Sequence, residues 1–509
     1  MKKILSVILC LSMMLTPLLS VAEVTYPLSE TPIKLTYWMP LNGGAAKYIT
    51  SYDENTAYAQ MQVDTGVDIE WKHPAVGQEG EAFNMMLLSK ELPDLIAMAN
   101  KYTGGEHQGV RDGIFVDLTP YLKEYAPDYW ALLQSNEDFR RTVTDENGVV
   151  AAFCTYKEPG DPNAMRLVLQ DSVMKDLGAE VPLTIADWDA LFEKMLAKGI
   201  TPYLLDQNGQ SKLFMGAFDT YPGFYVKDGQ VQYGFINEGF RAYLKQMNEW
   251  YQKGYISKDF TSIDGNTANT MFDSGAVGTY TTAIVACFNR NTKKGQTILS
   301  SPYPRVTADQ KLHWDDADSS PRWYNNENTT AISASCKNIE AAVSFLNYAY
   351  TGKGIELLNW GVEGLNWDWV DGQRVYNDLM LNHEVYSTEE ASYIYKVHFA
   401  TKYTQRATYC HANLLKSPES LAIRMQYSDD LNFDDAYYLP QFNLNEDDNT
   451  RKAEIMTDVT TYVNEMILKY IVGAESLDTY DTFVATVNAM GMPEVLDIMQ
   501  RGYETYMSK

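Results

Sequence analysis

The sequence predicts an α/β protein with at least two lobes, each built around a mainly parallel β-sheet. From Ile33 onward, short β-like runs alternate with amphipathic helices in units of about 30 residues, as right-handed βαβ crossovers require. A turn-rich stretch at 157–163 interrupts this alternation, and a new strand-like run follows it. A chain of 509 residues is also long enough for about two to four domains.

The first predicted lobe contains three strands separated by two helices. Short apolar runs predict strands at 34–40, 67–74 and 92–100, of which the last has the composition of a buried strand. Apolar residues at helical spacing predict helices at 54–66 and 80–90. Strands and helices in this order are typical of one α/β lobe.

The second predicted set of elements begins with a strand at 166–170. Thr184 is the expected N-cap of the next helix, because Asp187 stands three residues later, as in a capping box. Apolar side chains then recur at i, i+3, i+4 and i+7 until Gly199 ends the helix. The members of this stripe are Trp188, Leu191, Phe192 and Met195.

A second stripe of the same spacing precedes Gly254. We expect both stripes to pack in the core rather than to bind a cofactor. Farther along, a strand at 329–334 leads into a helix at 338–351, and the remainder of the chain is predicted to be largely helical. The members of the second stripe are Phe240, Tyr243, Leu244, Met247 and Tyr251.

The first 22 residues have the pattern of a secretory signal peptide. Lys2 and Lys3 precede an apolar run that ends at Leu19, and small residues follow up to Ala22. The apolar run is shorter than the roughly 20 residues that a transmembrane helix needs. We therefore expect cleavage before Glu23 and an extracellular or envelope-associated protein, periplasmic in a Gram-negative cell, with retention as an anchor as the alternative.

The charge of the chain narrows the classes of partner. The sequence has 67 acidic and 41 basic residues, and its net charge is −26. Such a surface repels nucleic acid and anionic lipid, and it favours neutral or cationic ligands. We therefore expect no nucleic-acid partner.

The cysteines beyond the predicted leader lie far apart, which excludes a CxxC motif and a zinc ribbon. We expect them to be buried thiols, and two disulfides are the alternative that their even number permits. They are Cys154, Cys287, Cys336 and Cys410.

Motifs of catalysis are missing from the sequence. It has no HExxH, no GxSxG and no phosphate-binding glycine motif, and the Asn42-Gly43-Gly44 run reads as a flexible loop beside a cleft. Paired acidic residues read as solvated loop charge, with calcium left open near Asp315, Asp316 and Asp318. We therefore expect a protein that is not an enzyme and holds no cofactor or catalytic metal.

Aromatic residues are abundant, with 36 Tyr, 10 Trp and 18 Phe. Tyr and Trp combine an apolar face with a polar edge, which suits reversible binding of hydroxyl-rich ligands. Those outside the helical stripes are the informative ones: Trp38, Tyr102, Tyr156, Tyr221, Tyr280, Trp323, Trp360, Trp367 and Trp369.

Several segments, taken together and in order between about residues 33 and 506, resemble the extracellular solute-binding proteins (family 1 type) of bacterial ABC importers, in particular the oligosaccharide-associated branch. The segments are LTYWMP, ELPDLIAMAN, ITPYLLD, KGYISKDFTSID, NYAYTGKGIELLNWGVEGLNW and IVGAESLDTYDTFVATVNAMGMPEVLDIMQRGYETY.

The resemblance implies a two-lobed periplasmic-binding-protein-like fold of class II, with three crossover segments and a helical C-terminal extension. The expected crossovers lie near 153–160, 279–286 and 351–358. The expected lobes are 23–155 plus 284–352 and 160–280 plus 356–509.

The same resemblance implies a ligand site between the lobes. Ligands of open α/β sheets bind beyond the carboxyl ends of the strands, so the loops after Met39 and Met98 should face this cleft. The expected ligand-binding residues are Trp38, Asn42, Asn100, Tyr102, Tyr156, Tyr221, Tyr280, Trp323, Trp360, Glu363 and Trp367.

The function that the resemblance implies is reversible capture of an oligosaccharide by closure of the lobes. The protein, a monomer, would then deliver its ligand to the transmembrane permease subunits of an ABC transporter. Two alternatives stay open from the residues: a secreted glycan-active enzyme, and a ligand-sensing subunit of a membrane receptor. A peptide or another solute is also compatible with the sequence.

Overall fold

The computed structural model contains two open β-sheets, each covered by helices. It describes residues 23–89, 91–157, 165–313, 324–386, 388–397, 405–406, 419, 422–423, 426–427 and 437–509.

The strands belong to two larger sheets and two small hairpins. In chain order they are β1 (Ile33–Trp38), β2 (Val67–Lys72), β3 (Leu95–Ala97), β4 (Phe153–Lys157), β5 (Met165–Gln170), β6 (Thr201–Leu204), β7 (Phe224–Lys227), β8 (Gln230–Tyr233), β9 (Val277–Ala283), β10 (Ile298–Ser300), β11 (Tyr324–Ile332), β12 (Trp367–Val370), β13 (Gln373–Tyr376) and β14 (Gln405–Arg406).

The helices precede, separate and follow these strands. They are α1 (Thr56–Thr65), α2 (Glu79–Ser89), α3 (Glu106–Arg111), α4 (Thr119–Tyr125), α5 (Pro127–Ser135), α6 (Glu137–Val143), α7 (Asp171–Asp176), α8 (Ile185–Ala197), α9 (Lys212–Ala217), α10 (Glu238–Gln252), α11 (Gly265–Asp273), α12 (Ile284–Thr292), α13 (Ile339–Asn347), α14 (Gly352–Trp360), α15 (Asp378–Leu381), α16 (Thr388–Tyr395), α17 (Glu446–Val472), α18 (Tyr480–Ala489) and α19 (Met492–Ser508).

The first sheet has the strand order β14-β4-β11-β3-β1-β2. Strand β1 pairs in parallel with β2 and β3, and β11 runs antiparallel between β3 and β4. Strand β14 is parallel to β4. All strands of this sheet except β11 therefore end at one edge, which we call its carboxyl edge, and β11 begins there.

The second sheet has the strand order β10-β5-β9-β6. Strands β6 and β9 are parallel, whereas β5 is antiparallel to both β9 and β10. Strand β5 therefore begins at the edge where the other three strands end. We call this the carboxyl edge of the second sheet.

Each sheet has its own hydrophobic core, which defines two lobes. The first core contains the buried rings of Tyr37, Tyr129 and Phe153. The second core contains the buried residues of both predicted helical stripes, among them Trp188. Apolar side chains from α17, α18 and α19 pack in the same core. The C-terminal helices thus belong to the second lobe.

Along the described segments, the chain changes lobe three times. It leaves the first lobe between 157 and 165, returns between 313 and 324, and leaves again between 406 and 423. Each passage leaves or enters the first sheet at its carboxyl edge. The first passage connects the two carboxyl edges across only eight peptide bonds, so they lie within about 28 Å of each other.

Lobe membership differs from the sequence expectation in two segments. Residues 284–313 were expected in the first lobe, but Ile298 pairs with Gln170 in the second sheet and Cys287 is buried in the second core. Residues from 356 were expected in the second lobe, but Leu357 and Leu358 pack in the first core. The expected crossovers at 279–286 and 351–358 therefore fall inside the lobes.

These two segments were misassigned because a strand joins a sheet through backbone hydrogen bonds, and a local sequence pattern does not specify which sheet it joins. Among the described residues, Cys154, Cys287 and Cys336 are buried free thiols, as expected. The predicted leader, Cys410 and Asp315, Asp316 and Asp318 lie outside the described residues.

Within the described part of the chain, every helix is too short or too polar to cross a membrane.

Candidate functional site

A cavity of about 520 Å³ opens at the carboxyl edge of the second sheet. Its walls are the ends of β6 and β9, the loop after β6, and the start of α11. Met165, the first residue of β5, also lines it. Met165 is only eight peptide bonds from the end of β4, so this cavity lies within about 28 Å of the carboxyl edge of the first sheet.

Tyr280 forms one wall of this cavity and is held in a fixed orientation. Its hydroxyl donates to Oδ1 of Asn269 at 2.6 Å and accepts from Nη2 of Arg290 at 3.0 Å. Burial raises the pKa of Tyr280 to about 12. The phenol is therefore neutral at physiological pH, with its hydrogen-bonding directions already defined.

Arg290 is itself fixed by a buried carboxylate. Its Nε donates to Oδ2 of Asp273 at 2.7 Å, and the Asp273 side chain is almost fully buried. Lys294 and Asn291 donate to the same carboxylate. This network holds the Tyr280 ring in position, and its charged residues Asp273, Arg290 and Lys294 do not line the cavity.

The loop after β6 is positioned by Tyr243 from α10. The Tyr243 hydroxyl donates to the carbonyl of Gly209 at 2.7 Å and accepts from the amide of Ser211 at 2.8 Å. Gly209 has a φ of 73°, and a side chain there would collide with Ile471. The turn thereby presents Asn208 to the cavity.

Hydroxyl groups complete the polar lining. Thr281 and Thr282 stand at the end of β9, on the cavity wall. The Thr281 Oγ1 atom is buried and has no hydrogen-bond partner among the described residues. The wall thus offers amides, hydroxyls and one aromatic ring beside the charged side chains of Asp206, Lys212 and Asp264, a combination suited to a polar ligand.

The carboxyl edge of the first sheet presents two short loops. Oδ1 of Asn42 accepts from the amide of Gly44 at 2.8 Å, and the ring of Tyr393 packs so closely on Gly44 that a side chain there would collide with it. In the loop after β3, Oδ1 of Asn100 accepts from the Thr329 hydroxyl at 3.3 Å. These contacts hold both loops against the first lobe.

Tyr102 follows in the same loop, where its hydroxyl donates to Oδ2 of Asp112 at 2.7 Å. Burial and this hydrogen bond raise the pKa of Tyr102 to about 12. Asn100 and Tyr102 line a second cavity, of about 580 Å³, whose opposite wall is the start of α17. Since α17 packs in the second core, this cavity lies between the lobes.

The structure thus brings three of the expected site residues to cavities: Tyr280 to the second-lobe cavity, and Asn100 and Tyr102 to the cavity between the lobes. Asn42 contributes to its own loop. Glu363 is exposed, and Tyr221 packs partly against the second core. Trp323 lies outside the described residues.

The remaining expected residues are packed in the lobes. Trp38 contacts Phe83, and Tyr156 contacts Phe139. Trp360 stacks on Tyr376 with ring centroids 4.9 Å apart, and Trp367, fully buried, donates from Nε1 to the carbonyl of Gly361 at 3.0 Å. None of these four rings lines either cavity, so their contacts within the lobes assign them a packing role.

Polar residues that the sequence analysis missed line the second-lobe cavity. The signal was present, because a run of polar residues directly follows the apolar strand β6. They are Asp206, Gln207, Asn208, Gln210, Asn269, Thr281 and Thr282.

Two open α/β lobes, with cavities at the carboxyl edges where the chain crosses between them, define a two-lobed ligand-binding protein. The family model of the bacterial extracellular solute-binding proteins matches residues 45–355, and the chain belongs to this family.

The chain is 21% identical over 498 residues to the fructooligosaccharide ABC transporter substrate-binding protein FusA of Streptococcus pneumoniae, covering 90% of this chain and 88% of FusA. It also resembles the HMO-binding, ABC-transporter-associated solute-binding protein of Bifidobacterium longum infantis, with a TM-score of 0.74 and 15% identity over 94% of this chain and 99% of that one.

A further similar structure is the alginate-binding protein AlgQ2 without calcium, with a TM-score of 0.70 and 20% identity. That likeness covers 94% of this chain and 99% of AlgQ2. The predicted two-lobed α/β fold with a helical C-terminal region is confirmed.

Proposed function

We propose that the protein is the extracytoplasmic substrate-binding protein of an ABC transporter and captures an oligosaccharide between its lobes. The observation that carries this proposal is the cavity at the carboxyl edge of the second sheet, with Tyr280 fixed on its wall. The relatives support it, since their names specify fructooligosaccharide, HMO and alginate as ligands.

The lining of this cavity matches the chemistry of a saccharide. Sugar hydroxyls both donate and accept hydrogen bonds, and the cavity offers amides such as Asn208 beside the hydroxyls of Thr281 and Thr282. The ring of Tyr280 provides an apolar surface for the C–H face of a sugar. Closure would remove these groups from water. Each polar group that is then left without a hydrogen-bond partner costs about 1–3 kcal/mol.

The energy required is modest. A micromolar Kd corresponds to about −8 kcal/mol. Hydrogen bonds and apolar contacts from both lobes together must supply this after the loss of rigid-body freedom. Binding without chemical turnover therefore suffices, and the proposed role requires no catalytic residue.

The partners and location follow from this role. The closed protein would dock as a monomer on the permease subunits of the transporter, outside the cytoplasm. The secretory pattern of the first 22 residues agrees with that location. The family, which is extracellular, agrees as well.

Isothermal titration of the chain from Glu23 onward against fructo-, malto-, xylo-, alginate and glucosamine oligosaccharides tests the proposal. We expect one class to bind with a micromolar or lower Kd and to be recovered chemically unchanged. Tyr280→Phe should weaken that binding about fivefold to tenfold, because the hydroxyl that orients Asn269 is lost.

The matched control is Tyr251→Phe, which removes a tyrosine hydroxyl in the second lobe away from both cavities. It should bind as the wild type does. Release of shorter sugars from the bound ligand, or absence of binding across the whole panel, would refute the proposed function.

A further inference from the structure

The cavity between the lobes differs in chemistry from the second-lobe cavity. Its first-lobe wall includes Tyr102, Glu106 and Arg111, and its other wall includes Asn445 and Lys452 at the start of α17. A ligand in this volume of about 580 Å³ would contact both lobes at once.

Glu106 is the unusual residue of this cavity. It is only 7% exposed and lines the cavity, yet its carboxylate makes no hydrogen bond or ion pair with any residue that the structure describes. A carboxylate on a side chain with so little access to water gains from a donor or a cation that compensates its charge. The cavity therefore lacks the partner that Glu106 requires.

The neighbouring charges show which kind of partner is missing. Acidic side chains outnumber basic ones on the lining, and Arg111 already faces Asp145 with Nη1 and Oδ2 3.9 Å apart. Lys452 lines the same cavity but makes no ion pair with Glu106 among the described residues. The acidic side chains of the lining are Glu106, Asp145, Glu146, Glu446 and Asp447.

Among the described residues, no three His, Cys, Asp or Glu side chains are arranged to hold a metal ion. The acidic side chains of the lining produce a negative potential, which favours a cationic group that can donate hydrogen bonds. A protonated amine has both properties, and it would leave the asparagines of the lining to bind hydroxyl groups.

We propose that the cavity between the lobes binds a protonated amino group of the captured saccharide, with Glu106 as its counter-ion. The ligand class is then an oligosaccharide that contains an unacetylated amino sugar. This inference rests on the proposed function and names its substrate class. The net charge of −26 acts in the same direction, since it attracts cationic solutes.

The test is a titration of the chain from Glu23 onward with three probes at a pH where the amine is protonated: a glucosamine trisaccharide, its fully N-acetylated form and maltotriose. We expect the amine form to bind at least about tenfold more tightly than the other two. Glu106→Gln should abolish this preference, because the amide keeps the size of the side chain and removes its charge.

The matched control is Glu91→Gln, which neutralises an exposed carboxylate of the first lobe outside the cavity lining and should keep the preference. A second measurement needs no ligand. Glu106→Gln should raise the melting temperature of the ligand-free protein, because it removes an uncompensated buried charge, whereas Glu91→Gln should leave it unchanged.

The outcomes separate this inference from the proposed function. Equal or tighter binding of a neutral trisaccharide, unaffected by Glu106→Gln, overturns the inference and leaves oligosaccharide capture intact. Failure of every saccharide to bind overturns both. Equal losses of melting temperature in Glu106→Gln and Lys452→Met would show that these two side chains pair with each other in solution, and that result also overturns the inference.

Discussion

Nδ2 of Asn443 lies 3.3 Å from Nδ1 of His107, and this contact joins the segment before α17 to the first lobe. Nε2 of His107 lies 3.1 Å from the carbonyl of Val149, so Nε2 carries the proton and Nδ1 accepts from the amide. Asn443 also donates to the carbonyl of Thr142 at 3.3 Å. One amide thus satisfies two buried acceptors of the first lobe.

Asn443→Ala should lower the free energy of unfolding by about 1–3 kcal/mol, because both acceptors lose their donor. Urea denaturation measures the change. Asn382→Ala, which removes an exposed amide that contacts Asp378 one turn away, is the matched control and should have little effect. Equal stability of the two variants would show that water replaces the Asn443 amide.

The capping box of α8 offers a second test. Oγ1 of Thr184 accepts from the amide of Asp187 at 3.2 Å, and Oδ2 of Asp187 accepts from the amide of Thr184 at 2.9 Å. Thr184→Ala should lower the free energy of unfolding by about 1 kcal/mol. Thr457→Ala, at an exposed position of α17, is the control and should cause no loss, because Ala is the better helix former.

The network around Asp273 couples stability to the second-lobe cavity. Asp273→Asn should lower the free energy of unfolding by about 3 kcal/mol, because Arg290 and Lys294 lose their buried counter-ion. It should also weaken saccharide binding, because Arg290 then no longer fixes Tyr280. Unchanged affinity in a folded variant would show that Tyr280 keeps its position without Arg290.

The same carboxylate predicts a pH dependence. Burial alone raises the pKa of Asp273, but the hydrogen bonds from Arg290, Lys294 and Asn291 outweigh it, so the pKa lies below its ordinary value of 3.8. The unfolded chain therefore binds this proton more readily. The stabilisation is complete above pH 3.8 and is lost as the pH falls through the lowered pKa.

Urea denaturation between pH 3 and pH 6 tests this direction. The stability difference between the wild type and Asp273→Asn should shrink as the pH falls. Asp497→Asn, at an exposed aspartate without an ion pair among the described residues, should give no such trend. A difference that grows toward low pH would contradict the argument.

Elements with a local signal were predictable from the sequence. The strand expected at 67–74 is β2 (Val67–Lys72), and the helix expected at 54–66 is α1 (Thr56–Thr65). The stripe after Thr184 is buried throughout in α8. Period, caps and glycine stops act within one or two turns, so a single sequence contains them.

Long-range relationships were not predictable in the same way. Strand β10 joins the second sheet beside β5, and α14 joins the first lobe, although nothing near them in the sequence specifies these partners. The site shows the same division. Tyr280 was found because it is an aromatic residue outside the helical stripes, whereas the unpaired state of Glu106 depends on which side chains distant segments such as α17 bring to the cavity.

The segment 360–367 shows why tryptophans were ambiguous. A tryptophan in a loop after a helix has the same sequence signature whether it faces a ligand or a small core. Here the hairpin of β12 and β13 supplies the cover: Tyr376 stacks on Trp360, and the Arg374 guanidinium lies over the ring of Trp367 at 5.4 Å. Arg374 and Tyr376 lie too far along the chain from these tryptophans for a local sequence pattern to reveal the contact.

The two tryptophans of β12 therefore separate packing from ligand contact. Trp367 is fully buried, and Trp369 is 52% exposed. Trp367→Ala should lower the free energy of unfolding by about 3–5 kcal/mol through the cavity it leaves. Trp369→Ala should lose only about 0.5–1 kcal/mol, the contribution of its exposed contact with Arg374.

Urea denaturation measures both losses, and titration at 10 °C, where both variants should remain folded, measures saccharide affinity. We expect the Kd of Trp367→Ala to match that of the wild type, because its ring is enclosed by the first lobe and donates to Gly361. A large loss of affinity with little loss of stability would instead assign Trp367 to the ligand, as the sequence pattern suggested. The same result for Trp369→Ala would place the sugar on the outer face of the hairpin.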